Sequence, residues 1–197
     1  MRQHKMTNVP TKSSADPLLA AKNHELVEAR EHIKRLEAKI KSLEQQMADE
    51  QAILTRPEFN REVARMLAFD ERYGGTSSVL YFDIVGLNRL GSRFSQELAV
   101  ETVRTIANVL TAYVRRSDIV GRLGAEEYGV LLVRCDNNAA WRKGRALAAQ
   151  LAADLETVSG QKLELDISFG AYTFREEEDV AAGLKHAAQT LTKVGKD

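Results

Sequence analysis

One cysteine, Cys135, stands among the 197 residues. A lone thiol cannot close an internal disulfide, and nothing in the sequence suggests a zinc site. Net charge is missing too, since 28 basic side chains balance 28 acidic ones. That balance gives no argument for a nucleic-acid partner or for an anionic membrane surface. No apolar run approaches the roughly 20 residues of a membrane span, and no apolar signal core follows the basic residues of the N-terminus. The expectation is a cytoplasmic protein with no membrane span and no nucleic-acid partner. The length suits one domain plus an extension, and the 44% hydrophobic content is ordinary for a globular chain.

The most informative stretch runs from Arg115 to Leu132, RRSDIVGRLGAEEYGVLL. It reads as two short strands, Asp118–Leu123 and Tyr128–Val133, joined by a tight acidic turn with Gly124 supplying backbone freedom. Glu126 and Glu127 sit side by side at the tip. Successive residues of a strand face opposite ways, so one carboxylate can turn toward a metal or substrate while the other turns away. The plain alternative is a solvated hairpin with surface charges. Asp83 favours chemistry, because it closes the apolar run Val79-Leu80-Tyr81-Phe82. A carboxylate at the end of a buried strand is costly unless it is paired or binds a cation. Oxygen ligands of this type suit Mg²⁺, which typically joins one or two carboxylates to phosphates.

The region from about Ala52 to the C-terminus resembles the GGDEF family, the diguanylate cyclases that condense two GTP into cyclic di-GMP. The signature turn is Gly124-Ala125-Glu126-Glu127-Tyr128 where the family has GG(D/E)EF. The resemblance implies an α+β fold, the ferredoxin-like palm of nucleotide cyclases, with an antiparallel sheet and helices on one face. It implies Asp83 and Glu126 as metal ligands, with Glu126 and Glu127 as vestigial catalytic acids. It also implies a product-binding inhibitory site at Arg115, Asp118 and Arg122.

Several positions depart from the family pattern. Val85 replaces the second acid after the strand, Asn88 a phosphate-contacting lysine, and Gly91 a guanine-reading asparagine. Val100 stands where an aspartate contacts guanine, and Ala125 replaces the second glycine of the turn. A site that pairs polar base edges loses much selectivity when those groups vanish.

Upstream, Leu19, Leu26, Ile33, Ile40, Met47 and Leu54 fall seven apart, and Ala29, Leu36 and Leu43 fall three later. These are heptad a and d positions, and isoleucine at a with leucine at d favours a parallel dimer. Glu25 would face Arg30, His32 would face Glu37 and Lys39 would face Glu44 across such a dimer. Each exposed pair adds only ~0.2–1 kcal/mol, but together they help set orientation. The seam residues are Leu26, Ile33, Leu36, Ile40, Leu43 and Met47. The alternative is a single amphipathic helix lying on its own domain. The expected organisation is a flexible tail over 1–17, a parallel coiled coil over 18–54 and the GGDEF-like domain over 55–197.

Within that domain, Thr55, Pro57 and Glu58 form a helix-start signature, and Phe59, Val63, Met66 and Leu67 face inward. A strand follows at Ser77–Val85, then a helix from Gln96 to about Arg116. Asn137 or Asn138 caps a helix to about Val158, with Trp141 packing near its start. Leu163–Phe174 is the last long strand, and Glu176 to Asp179 open the last helix. His186 reads as a surface histidine without an identified partner.

Three functions are compatible with this pattern. The first is a degenerate, inactive dimeric binding module, with cyclic di-GMP at the RxxD site and a protein partner the sequence does not identify. The second is a weakly active cyclase, which would need Mg²⁺. The third is a nucleotide-independent dimeric scaffold whose coiled coil is the working surface.

Overall fold

In the computed structural model, residues 26–36 and 53–193 are described. The chain divides between Gln45 and Gln46 into two units. In the first, residues 26–36 form a helix, α1. Leu26, Val27, Ile33 and Leu36 are all exposed on it, and Glu31 pairs with Arg35 one turn on. Ile40, Leu43 and Met47 lie outside the described residues.

The second unit is built on β2, Ser78–Val85. Its side chains alternate between two cores, as a strand buried on both faces requires. Leu80, Phe82 and Ile84 enter one core, while Val79 and Tyr81 enter the other. β2 is flanked by β4, Glu127–Leu132, and by β7, Asp166–Thr173, both antiparallel to it. β3, Ile119–Arg122, pairs antiparallel with β4. The outermost strands are β1, Leu54–Thr55, and β8, Thr192–Lys193. The order is β1-β3-β4-β2-β7-β8.

After β2 the chain makes a short helical turn, α3, Leu90–Arg93. The first helical face consists of α4, Gln96–Ala112, and α5, Asn137–Leu155. Ile106 and Leu110 of α4 and Leu147 and Leu151 of α5 are fully or almost fully buried in the first core. Burying side chains of this size contributes roughly 1.5–3 kcal/mol each. β2-α4-β3-β4-α5-β7 is the ferredoxin-like unit, with both helices on one face.

Two features go beyond that expectation. The sheet is mixed, because β1 runs parallel to β3 with Leu54 opposite Gly121 and Thr55 opposite Arg122. The second face is also covered, by α2, Arg56–Tyr73, and α6, Val180–Gln189. Phe59 and Val63 of α2 and Val180, Leu184 and Ala187 of α6 make the second core. β2 leaves Val79 and Tyr81 on that side, so a bare second face would expose them.

Local differences have local causes. Leu54, the last residue of the heptad pattern, is in β1, and Ile53 before it is buried in the first core. Asp136, not Asn137 or Asn138, caps α5, its carboxylate accepting the Ala139 N–H at 2.8 Å. The segment after α5 folds into a small hairpin of β5, Thr157–Val158, and β6, Gln161–Lys162. Thr55 does open α2 as the capping signature requires, its N–H and hydroxyl both donating to the Glu58 carboxylate at 2.9 and 2.6 Å.

Candidate functional site

The turn between β3 and β4 is held by its own neighbours. The N–H groups of Leu123 and Gly124 both donate to the Glu127 carbonyl, at 2.8 and 3.2 Å. Arg122 folds its guanidinium back onto the turn, donating to the carbonyls of Gly124 and Ala125 at 3.2 and 3.3 Å. Gly124 adopts no left-handed backbone. A Cβ there would stand 2.6 Å from Glu127 Oε2, so a side chain at 124 would displace the Glu127 carboxylate. Tyr128 begins the buried part of β4, and the Arg122 guanidinium lies 5.9 Å from its ring centre.

The two adjacent glutamates diverge, as alternate positions on a strand should. Glu126 Oε1 accepts the N–H groups of Gly86 and Asn88, at 2.8 and 3.2 Å, in the loop that follows β2. Glu127 turns to the other face, 3.7 Å from the Arg56 guanidinium. A hydrogen bond and charge from Glu127 push the Tyr81 phenol up, after burial as the first cause. Asp83 lies directly opposite Glu127 on β4 and opposite Ser168 on β7. Its carboxyl is raised, first by desolvation and then by Glu126 and Glu127.

Beside the turn is a cleft of about 660 Å³, between the β2 loop, α4 and the hairpin tip. This is the size range of small-molecule sites. Asn88, Gly91, Val100 and Ala125 all line it, so four of the five departing positions come together in one place. Its walls are largely aliphatic. Sequence reasoning missed two polar side chains here, Gln96 and Arg104. A Cβ on Gly91 would stand 2.7 Å from Gln96 Oε1, so the Gln96 amide occupies the room an asparagine at 91 would need. The signal was helical spacing: 96, 100 and 104 are four apart on α4 and share a face with Val100.

Of the three residues of the RxxD reading, the structure joins Arg115 and Asp118 and places Arg122 apart from them. Asp118 accepts the N–H of Arg115 at 2.8 Å and of Val133 at 3.1 Å, one with each carboxylate oxygen. It thereby fixes the turn that leads into β3 and leaves the Arg115 side chain exposed. Arg122 lies at the far end of β3, on the turn carbonyls.

The family model for the diguanylate cyclase GGDEF domain matches residues 51–197. The chain belongs to the GGDEF diguanylate cyclase family. It is 24% identical over 139 residues to the diguanylate cyclase TpbB of Pseudomonas aeruginosa, covering 70% of this chain and 32% of TpbB. It spans a third or less of such curated relatives. The GGDEF domain of DgcB from Caulobacter crescentus, solved in complex with c-di-GMP, superposes with a TM-score of 0.63. That match is 16% identical and covers 70% of this chain and 82% of that one. The coiled coil and GGDEF domain of the same DgcB, also with c-di-GMP, gives 0.64 at 14% identity, covering 85% and 90%.

GGDEF cyclases use Mg²⁺ when active. The donor types here fit that ion; beyond burial, Asp83 is raised by the charges of Glu126 and Glu127, which a divalent cation relieves. The arrangement does not fit, because Glu126 is engaged with backbone N–H groups and Glu127 with Arg56. Among the described residues no three His, Cys, Asp or Glu side chains stand together to hold a metal.

Elsewhere in the GGDEF domain, Trp141 packs edge-on against Phe169, at 5.3 Å between ring centres. His186 is exposed but not alone. Its Nδ1 is 3.0 Å from Glu178 Oε1, which also accepts the Tyr172 hydroxyl at 3.1 Å. Among the described residues no helix is long and apolar enough to cross a membrane.

Proposed function

We propose that this chain is a degenerate member of its family, catalytically silent, working as a dimeric binding module with cyclic di-GMP as its ligand. The observation that carries the reading is the cleft. Where the resemblance calls for an asparagine and an aspartate to read guanine, Gly91 and Val100 line an aliphatic wall. A buried base edge left without partners costs about 1–3 kcal/mol per group, and every 1.4 kcal/mol is a tenfold loss of affinity. Ala125 adds a methyl at the turn where only glycine permits the closest backbone approach.

The surviving nucleotide site is on the outside, at Arg115. Asp118 holds the turn that presents the Arg115 guanidinium, whose planar fork suits the phosphates of cyclic di-GMP. Arg122, at the far end of β3, holds the hairpin tip rather than the Arg115 turn. The c-di-GMP seen with the Caulobacter DgcB domain supports this ligand class. Dimerisation is proposed through the seam of Leu26, Ile33 and Leu36, whose exposure on α1 leaves an apolar stripe to cover, continuing through Ile40, Leu43 and Met47. A Mg²⁺ ion would go to Asp83, with Glu126 as a second ligand only after it leaves Gly86 and Asn88; none is required for binding.

Two measurements on the full chain test this. Calorimetric titration with cyclic di-GMP should show saturable micromolar binding, and incubation with GTP and Mg²⁺ should yield no cyclic di-GMP. Product formation would replace the reading with a weakly active cyclase. No heat with cyclic di-GMP would leave a dimeric scaffold.

A further inference from the structure

We infer that Glu126 acts in this chain as a clasp that fixes the mouth of the cleft. The two walls of the mouth come from segments distant in sequence. Leu87 and Asn88 stand on one side, after β2, and Gly124 and Ala125 on the other, at the hairpin tip. The chain crosses between them at Glu126. Its backbone carbonyl accepts the Ile84 N–H at 2.9 Å, which extends the β2–β4 ladder by one bond. Its side chain then reaches past the end of the ladder and takes the N–H groups of Gly86 and Asn88 on one oxygen.

The loop so held has no freedom to spare. Gly86 sits at φ +104°, where a side chain would be strained, and a Cβ there would meet Leu165 at 3.3 Å and the Glu164 carbonyl at 3.4 Å. The Glu126 clasp therefore fixes a loop already confined from below, and the cleft width follows from it. Two hydrogen bonds from backbone N–H groups to one charged oxygen are charge-assisted and stronger than their neutral counterparts. A cation ligand would have to give up both. Glu126 is on this account a positioning residue for the cleft, whatever binds at Arg115.

Amide hydrogen exchange on the full chain, read at Gly86, Asn88 and the core residue Phe82, tests the clasp. A glutamine keeps an acceptor oxygen but loses the charge, so Glu126→Gln should leave Gly86 and Asn88 protected to within about threefold. Glu126→Ala should speed both by at least about tenfold while Phe82 is unchanged. Titration of the unaltered chain with Mg²⁺ to about 10 mM should leave the two amides as they were. The inference is overturned if Mg²⁺ releases Gly86 and Asn88 in the unaltered chain and not in Glu126→Gln, since that is the signature of a cation ligand. It is equally overturned if Glu126→Ala leaves them protected or if Glu126→Gln exposes them as alanine does. Should Glu126→Ala fail to fold, the Mg²⁺ titration and Glu126→Gln still decide.

Discussion

Asp83 and Glu127 stand directly opposite each other across the β2–β4 ladder, on the sheet face that also carries Tyr81. Like charges placed so are destabilising. Glu127 finds Arg56 at 3.7 Å, whereas burial and the two glutamates together raise the Asp83 carboxyl above 3.8. A turn that would gather metal ligands in a catalyst is here a place where one acid is left at a disadvantage.

The raised carboxyl gives a signed pH dependence. A native value above the unfolded one means that the folded chain keeps a proton the unfolded chain has lost. Stability therefore falls as pH rises from 3.8 through the native value, and the penalty persists at neutral pH. Asp83→Asn removes the penalty. The variant should have a higher denaturant midpoint than the parent at pH 7, and the gap should narrow toward pH 3. A gap that widens on acidification would show that the Asp83 charge is compensated in the native state.

Tyr128 carries a second local cost. Burial pushes its phenol up to about 12, and its hydroxyl is buried with no hydrogen-bond partner among the described residues. The ring fills its place fully, since Tyr128 is 0% exposed. Tyr128→Phe keeps the ring and removes the orphan oxygen, so it should stabilise the fold by about 1 kcal/mol, seen as a higher midpoint at an unchanged denaturant slope. A loss of similar size would mean that the hydroxyl is satisfied by bound water.

How much of this was legible in the sequence depended on the kind of signal. The capping signature at Thr55 and Glu58 and the apolar run of β2 depend on neighbours in sequence, and both formed as read. The heptad reading over 18–54 also took in Ile53 and Leu54, which belong to the second unit: Ile53 is buried in its first core and the Leu54 backbone pairs with Gly121. Periodicity cannot report a partner strand 67 positions away. Nor could it show a second covered face, although Val79 and Tyr81 on one side of the alternation and Leu80 and Phe82 on the other are all apolar or aromatic, as in a doubly buried strand. At the site, the divergence of Glu126 and Glu127 followed from strand geometry. The targets of their carboxylates did not, because Gly86, Asn88 and Arg56 reach them through tertiary packing. Gln96 was hidden for the same reason: its place over Gly91 depends on how α4 meets the β2 loop.

Arg115 and Asp118 should separate under mutation. Asp118 satisfies two backbone N–H groups, so Asp118→Ala should destabilise the fold by about 2 kcal/mol and loosen the turn. The exposed Arg115 side chain should be replaceable within about 0.5 kcal/mol of stability. If cyclic di-GMP binds here, Arg115→Ala lowers its affinity at least about tenfold in a chain of parental stability. Unchanged affinity in Arg115→Ala would place the ligand elsewhere.

The seam on α1 makes the last prediction. Ile33 and Leu36 are 52% and 46% exposed, so charge at these positions removes no packing within the chain as it stands. In a parallel dimer the same positions are knobs in the partner's holes, and an aspartate there is desolvated opposite its own copy. Ile33→Asp with Leu36→Asp should therefore leave the thermal transition of the GGDEF domain in place while the sedimenting mass falls from twice the 21.9 kDa chain to one chain. Removing residues 1–47 should have the same effect on mass. If the double variant still sediments as a dimer, the apolar stripe is covered by something other than a second α1. If dimerisation and partner binding are lost together while Arg115→Ala preserves both, the coiled coil is the working surface and the nucleotide is incidental to it.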